Sequence, residues 1–158
     1  MRALAFILAL TAAGPAVALS CMQADPQADF RRAAADDRSW IVVDGEMRFD
    51  EDLLPKTDLG AQAPRDAVEI PARIEGQGLS KEGFTIPFDR DITLRATCAG
   101  PWCASPASDT RYLAFLLKEG DGYVALASPC PGNLHPNPAP EALDAVQTCM
   151  QGGPCAER

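Results

Sequence analysis

Six cysteines, one histidine, two tryptophans and a few acidic clusters are the side chains here with chemistry to offer. The cysteines stand at positions 21, 98, 103, 130, 149 and 155. All follow an apolar leader, and an even count in an exported chain implies a disulfide framework. Six cysteines allow many connectivities, and spacing narrows them. Cys98 and Cys103 flank Ala-Gly-Pro-Trp, a turn composition that suits a local bridge. Cys149 and Cys155 flank Met-Gln-Gly-Gly-Pro, whose Gly-Gly-Pro lets the chain double back. That leaves Cys21 with Cys130, an expectation that a non-reducing peptide map tests.

Catalytic readings are poorly supplied. His135 is the only histidine and sits in Leu-His-Pro within a Pro-rich stretch, so it reads as a solvated loop residue. A hydrolase would need it beside a free nucleophile, and a catalytic zinc wants about three protein ligands. Neither is at hand, so no metal, cofactor or enzymatic activity is expected. Cys98 and Cys103 have four residues between them, where the thioredoxin motif has two. The low thiol pKa of that motif depends on close spacing and a helix N-terminus, so a structural bridge is expected. Glu119-Gly120-Asp121-Gly122 offers too few oxygens for an EF-hand and reads as a hairpin turn. Asp36-Asp37 and Asp50-Glu51-Asp52 read as solvated faces rather than acid–base pairs. Trp102, between two cysteines and after Pro101, has two readings: a contact anchor on a rigid loop tip, or a ring folded over one end of the domain.

These residues need a scaffold, and the chain begins with a segment outside it. Met1-Arg2, the apolar Ala3–Ala13, the Gly14-Pro15 break and Ala16-Val17-Ala18 make an export signal, with cleavage after Ala18 or Ser20. The apolar run is short of the roughly 20 residues a transmembrane span requires. A lipid anchor at Cys21 is the minor alternative, since the expected leucine stands at 19 rather than 18. Residues 1–20 are thus assigned to the signal and 21–158 to one domain, periplasmic or secreted. The net charge of −8 and the lack of a basic cluster beyond Arg31-Arg32 exclude nucleic acid and anionic membrane as expected partners.

Within the domain, Ala and Arg predict a short helix over Asp29–Asp37, capped by Asp29. Trp40–Phe49 alternates, and Gly45 inside it predicts a bulge. Residues 50–65 read as a surface loop. Val68–Ile74 alternates around Pro71, which belongs at an edge or bulge, and 75–81 reads as a turn. Phe84–Phe88 and Ile92–Cys98 are separate short strands. Tyr112–Leu117 and Tyr123–Ala127 flank a Gly-rich turn and make the central hairpin. Pro140 begins a final helix to Met150, with Leu143, Val146 and Met150 as its apolar stripe. The sum is a mainly β chain: a five-stranded OB-like Greek-key barrel with a short helix at each end.

A family resemblance adds to this. Cys21 at the mature start, the glycine-bearing strand Trp40–Glu46, Cys98 after a strand, and the Arg111–Leu116 … Gly122-Tyr123 … Cys130 … Gly132-Asn133 hairpin resemble the netrin-like domain family. That family includes the tissue inhibitors of metalloproteinases and bacterial exported relatives. In those inhibitors an N-terminal Cys-x-Cys wedge chelates the protease zinc through its free amine and carbonyl. This chain has Cys21-Met22-Gln23, which matches only the first cysteine. The sequence therefore implies an exported binding module for a protein or glycan, with Cys21, Met22, Trp102, Glu119 and Asp121 as contact candidates. The alternative is an inhibitor of an extracytoplasmic metalloprotease acting through the Cys21 segment.

Overall fold

The computed structural model describes residues 19–60 and 65–155. The expected export signal, residues 1–20, therefore lies outside the described residues, apart from Leu19 and Ser20, which are exposed. Among the described residues no helix is long and apolar enough to cross a membrane.

Helix α1 spans Pro26–Ala35. It begins earlier than the composition suggests because Asp25, not Asp29, is the cap: its carboxylate accepts from the Gln27 and Ala28 N–H groups at 3.0 and 3.3 Å. Pro26 fits the first turn, where its missing N–H is not needed. Asp29 is thereby released to point inward. At the other end of the chain, helix α2 spans Pro140–Met150 as its stripe predicts.

The strands are β1 (Trp40–Phe49), β2 (Val68–Ser80), β3 (Gly83–Ala96), the two-residue pieces β4 (Cys98–Ala99) and β5 (Trp102–Cys103), β6 (Thr110–Glu119), β7 (Gly122–Ala127) and β8 (Leu134–Pro136). Their order β1-β2-β3-β7-β6 closes on itself because β6 also pairs with β1 over Trp40–Met47. The β3–β7 contact is parallel; the other ring contacts are antiparallel. This is the five-stranded OB-like Greek-key barrel expected. Strand β8 joins β6 at Tyr112–Ala114, where β7 has already turned toward β3.

Several local expectations are corrected. Gly45 is no bulge: it pairs in register with Gly76 on one side and Tyr112 on the other. The one register shift between β2 and β3 falls at Gly78/Leu79. Residues 75–80 are strand, not turn, and 83–96 is a single strand rather than two. Pro71 lies one residue past Ala72, the last β1 partner, so its missing donor is absent from a ladder edge rather than from a bulge. Within the 50–65 loop, Glu51–Leu53 forms a 3-10 turn. Over Gly83–Ile92, β2 is the only strand paired with β3 among the described residues.

Two apolar clusters hold the fold. Val43, Met47, Ile70, Ile74, Leu94, Ala114 and Leu116 are among the side chains filling the barrel. Val42, Leu113, Phe115 and Val146 form a second cluster, with Phe30, Trp40 and Leu143 packed against it. It lies between the outer face of β1 and β6 and the two helices. Tyr112–Leu117 is buried without alternation because this strand is covered on both faces. The disulfides are Cys21–Cys130, Cys98–Cys103 and Cys149–Cys155, the pairing that spacing points to.

Candidate functional site

The strand ladder divides the contact candidates between two ends of the barrel. The Thr97 N–H donates to the Ala127 carbonyl at 2.9 Å, which sets the β4–β5 hairpin beside the C-terminal end of β7. Cys130 follows three residues later and carries Cys21. Trp102, Cys21 and Met22 therefore belong to one end. Glu119 precedes and Asp121 lies in the turn that opens β7, roughly 17 Å away along the strand.

At that far end the chemistry is structural. From its register position opposite Leu126, Arg95 reaches along the sheet to donate to both Glu119 oxygens at 2.9 Å and to Glu69 at 2.7 and 2.9 Å. The hydrogen bonds from Arg95 hold the Glu119 carboxyl below its ordinary range. Asp121 stays exposed on the turn, after Gly120 at φ +56°. Among the described residues no group of three or more His, Cys, Asp or Glu side chains is placed to hold a metal ion.

The near end is different in kind. Cys21, Met22 and Gln23 are all exposed, Met22 at 88 %. Their backbone is tied down by the bond to Cys130, and a groove of about 630 Å³ runs between this segment, the first turns of α1 and Pro131-Gly132. Trp102 is half-buried at the edge of a two-residue turn, Gly100-Pro101, in which Gly100 takes φ +56°. It is packed against neither apolar cluster. The 50–65 loop braces this turn: Asp58 N–H donates to the Pro101 carbonyl at 3.0 Å, and Arg65 reaches the same oxygen at 3.3 Å and the Lys56 carbonyl at 2.8 Å.

Behind the groove lies a pair that sequence reasoning missed. His135 is buried, not solvated: register with Leu113 turns it to the outer face of the sheet, under α1. Its Nε2 is 2.7 Å from Asp29 Oδ2, both side chains being 7 % exposed, and its ring meets Phe115 edge-on. An ionised carboxylate only accepts, so Nε2–H is the donor. Asp29 also takes Arg32 at 2.6 Å, and Arg32 reaches on to Asn133 at 2.9 Å. Burial works to raise the Asp29 pKa; the His135 hydrogen bond and the Arg32 charge outweigh it, and the carboxyl is held below its ordinary value. The pair joins α1 to β8 and fixes the loop that carries Cys130. One signal for it was present: Asp25 is the better cap, and that leaves Asp29 on the inward side of the helix.

The remaining acidic clusters are ties as well. Asp36 accepts from Arg38 at 2.6 Å and from the Trp40 indole at 3.1 Å; these bonds, led by Arg38, hold its carboxyl below the usual range. Asp50 caps the 3-10 turn, and Glu51 accepts from the Ser108 N–H at 2.6 Å.

No protein-family model, no curated protein and no solved structure matches the chain.

Proposed function

We propose that the chain is an exported, disulfide-braced binding module that meets a protein or glycan partner with the barrel end carrying Met22 and Trp102. The observation that carries this reading is Met22, a large apolar side chain 88 % exposed on a segment bonded covalently to the barrel. A thioether on an unbranched stem adapts to irregular apolar surface. A segment ordered before binding loses little conformational freedom on association. Trp102 adds a rigid aromatic on the same end. Three disulfides and the apolar leader fit an oxidising compartment, periplasmic or extracellular. The net charge of −8 argues against nucleic acid and anionic membrane.

The test is site-specific photo-cross-linking in the extracytoplasmic fraction of the producing cell. Position 22 should capture a defined species that position 86, an exposed apolar site on β3, does not. Met22→Glu should abolish the capture without moving the unfolding midpoint. Equal capture from both positions rejects the reading.

A second reading has its own observation. Cys21 is fixed at the barrel end with its neighbours exposed, as the netrin-like resemblance implies for an inhibitor of a zinc protease. Chelation by its amine requires cleavage after Ser20. A mature chain beginning at Leu19 ends this reading. A chain beginning at Cys21 should inhibit a zinc endopeptidase and lose that inhibition when one alanine is added in front.

A further inference from the structure

The Arg65 guanidinium lies against a disulfide. Its Nη2 is 2.6 Å from Cys103 Sγ, and its other bonds go to the carbonyls of Lys56 and Pro101. None of these acceptors is charged, and no carboxylate lies within ion-pair distance of Arg65 among the described residues. Its Nε is buried with no hydrogen-bond partner among the described residues. A half-buried cation with only neutral acceptors is under-compensated. A disulfide sulfur is a weak acceptor, whereas a thiolate at the same place would supply both a negative charge and a strong acceptor.

We propose that Cys98–Cys103 is a site of thiol–disulfide exchange with an external dithiol, in which Arg65 receives the departing Cys103 thiolate. Cys98 is half-buried on β4 and Cys103 is 7 % exposed, so the outer sulfur is the one open to attack. One thiol of the dithiol loses its proton to solvent and attacks Cys98 Sγ. A mixed disulfide forms, the Cys98–Cys103 bond breaks, and its electron pair leaves on Cys103 beside Arg65. The second thiol, deprotonated to solvent, attacks the dithiol's own sulfur in the mixed disulfide and releases Cys98, which takes up one proton. The dithiol is oxidised to a disulfide and the protein is reduced by two electrons. Exchange is faster, and the reduced form more favoured, when the leaving thiolate is stabilised. Four intervening residues do not provide that stabilisation. An arginine from a different loop does, which is why local spacing does not reveal it. Reduction would also uncouple the two ends of the Gly100–Trp102 turn, whether or not Trp102 contacts a partner.

The experiment equilibrates the whole mature chain in dithiothreitol buffers of graded ratio, then reads each bridge by differential alkylation and peptide mass. Cys98–Cys103 should open at a less reducing ratio than Cys149–Cys155. Arg65→Gln should move its midpoint about tenfold toward the reducing side, or ~30 mV. Arg65→Lys, which keeps the charge, should stay within about twofold of wild type by the same measure. The Cys149–Cys155 midpoint should not move in either variant and so serves as the control for folding. An unchanged Cys98–Cys103 midpoint in Arg65→Gln overturns the proposal, as does opening no earlier than Cys149–Cys155. Should Arg65→Gln fail to fold, Cys98→Ser decides. Its lone Cys103 thiol should ionise below the ~8.5 of free cysteine, and ionisation at or above that value overturns the assignment.

Discussion

Asp29 shows how one side chain can hold two elements that share no ladder. It receives the imidazole of β8, which lies edge-on to Phe115 of the outer apolar cluster, and the guanidinium of its own helix. Replacing it with alanine leaves His135 buried without its acceptor, and losing one member of a buried pair costs about 3 kcal/mol. Urea unfolding of Asp29→Ala at neutral pH should show that loss. The pH dependence has a definite sign. Because the folded carboxyl sits below the ordinary aspartate value of 3.8, its contribution is complete above that pH. It fades as pH falls below 3.8 toward the folded value. The difference between wild type and Asp29→Asn should therefore shrink in that acid window and stay level just above it. A difference that grows on acidification contradicts the assignment. One half of this pair is legible locally, since a cap at Asp25 turns Asp29 inward; the His135 half is not. Composition alone puts the helix start at Asp29 rather than Asp25, and a three-residue strand among prolines carries no periodicity to announce His135.

At the scale of elements, β1 and β2 cross at Gly45 and Gly76. A Cβ on Gly76 would lie 2.1 Å from the Asp44 carbonyl oxygen, and one on Gly45 would lie 2.7 Å from that of Glu75. The obstacles are backbone, which cannot rotate aside. Gly76→Ala should cost about 3 kcal/mol by overpacking, at the upper end for one added methyl, read as a lowered denaturation midpoint. Gly122→Ala, with its nearest neighbour at 3.7 Å, is the matched control and should be close to neutral. The alternating strands and the central hairpin were readable because each carries its own period and turn chemistry. A glycine within an alternating strand suggests a bulge, whereas the role of Gly45 is a close approach that depends on a glycine thirty-one residues away in register. The lengths of β2 and β3 were underestimated for a related reason. The outer half of β2 carries Gly76 and Gly78, so pattern alone reads it as turn, while the charged Asp89-Arg90-Asp91 divides β3 into two short strands.

At the scale of the molecule, the disulfide map and the barrel were the most legible features. Turn-like spacers fix two bridges, and the third follows. Cys21–Cys130 spans a sequence separation of 109 and so restricts the unfolded chain more than the two short bridges do. Cys21→Ser together with Cys130→Ser should lose about 2–4 kcal/mol in equilibrium unfolding. The same variant should release Met22 into a mobile tail and weaken any capture from position 22. What the sequence could not disclose is which candidates share an end of the barrel. That depends on closure between β1 and β6 and on the parallel β3–β7 contact, both set by long-range pairing.

The unpartnered side of β3 bears on how the protein behaves at high concentration. Ten residues of strand with an open edge are a template for pairing with another copy. Here the edge holds Pro87, which cannot donate, followed by Asp89, Arg90 and Asp91, two of which are held by Arg73 at 2.7 and 2.9 Å. These residues act as gatekeepers beside Ile86, which is 53 % exposed. Replacing Pro87 with threonine and Asp89 with valine should leave the fold intact but produce association that rises with concentration in light scattering. The longest hairpin of the barrel is thus guarded, by a missing donor and paired charges, along the side that closure left open.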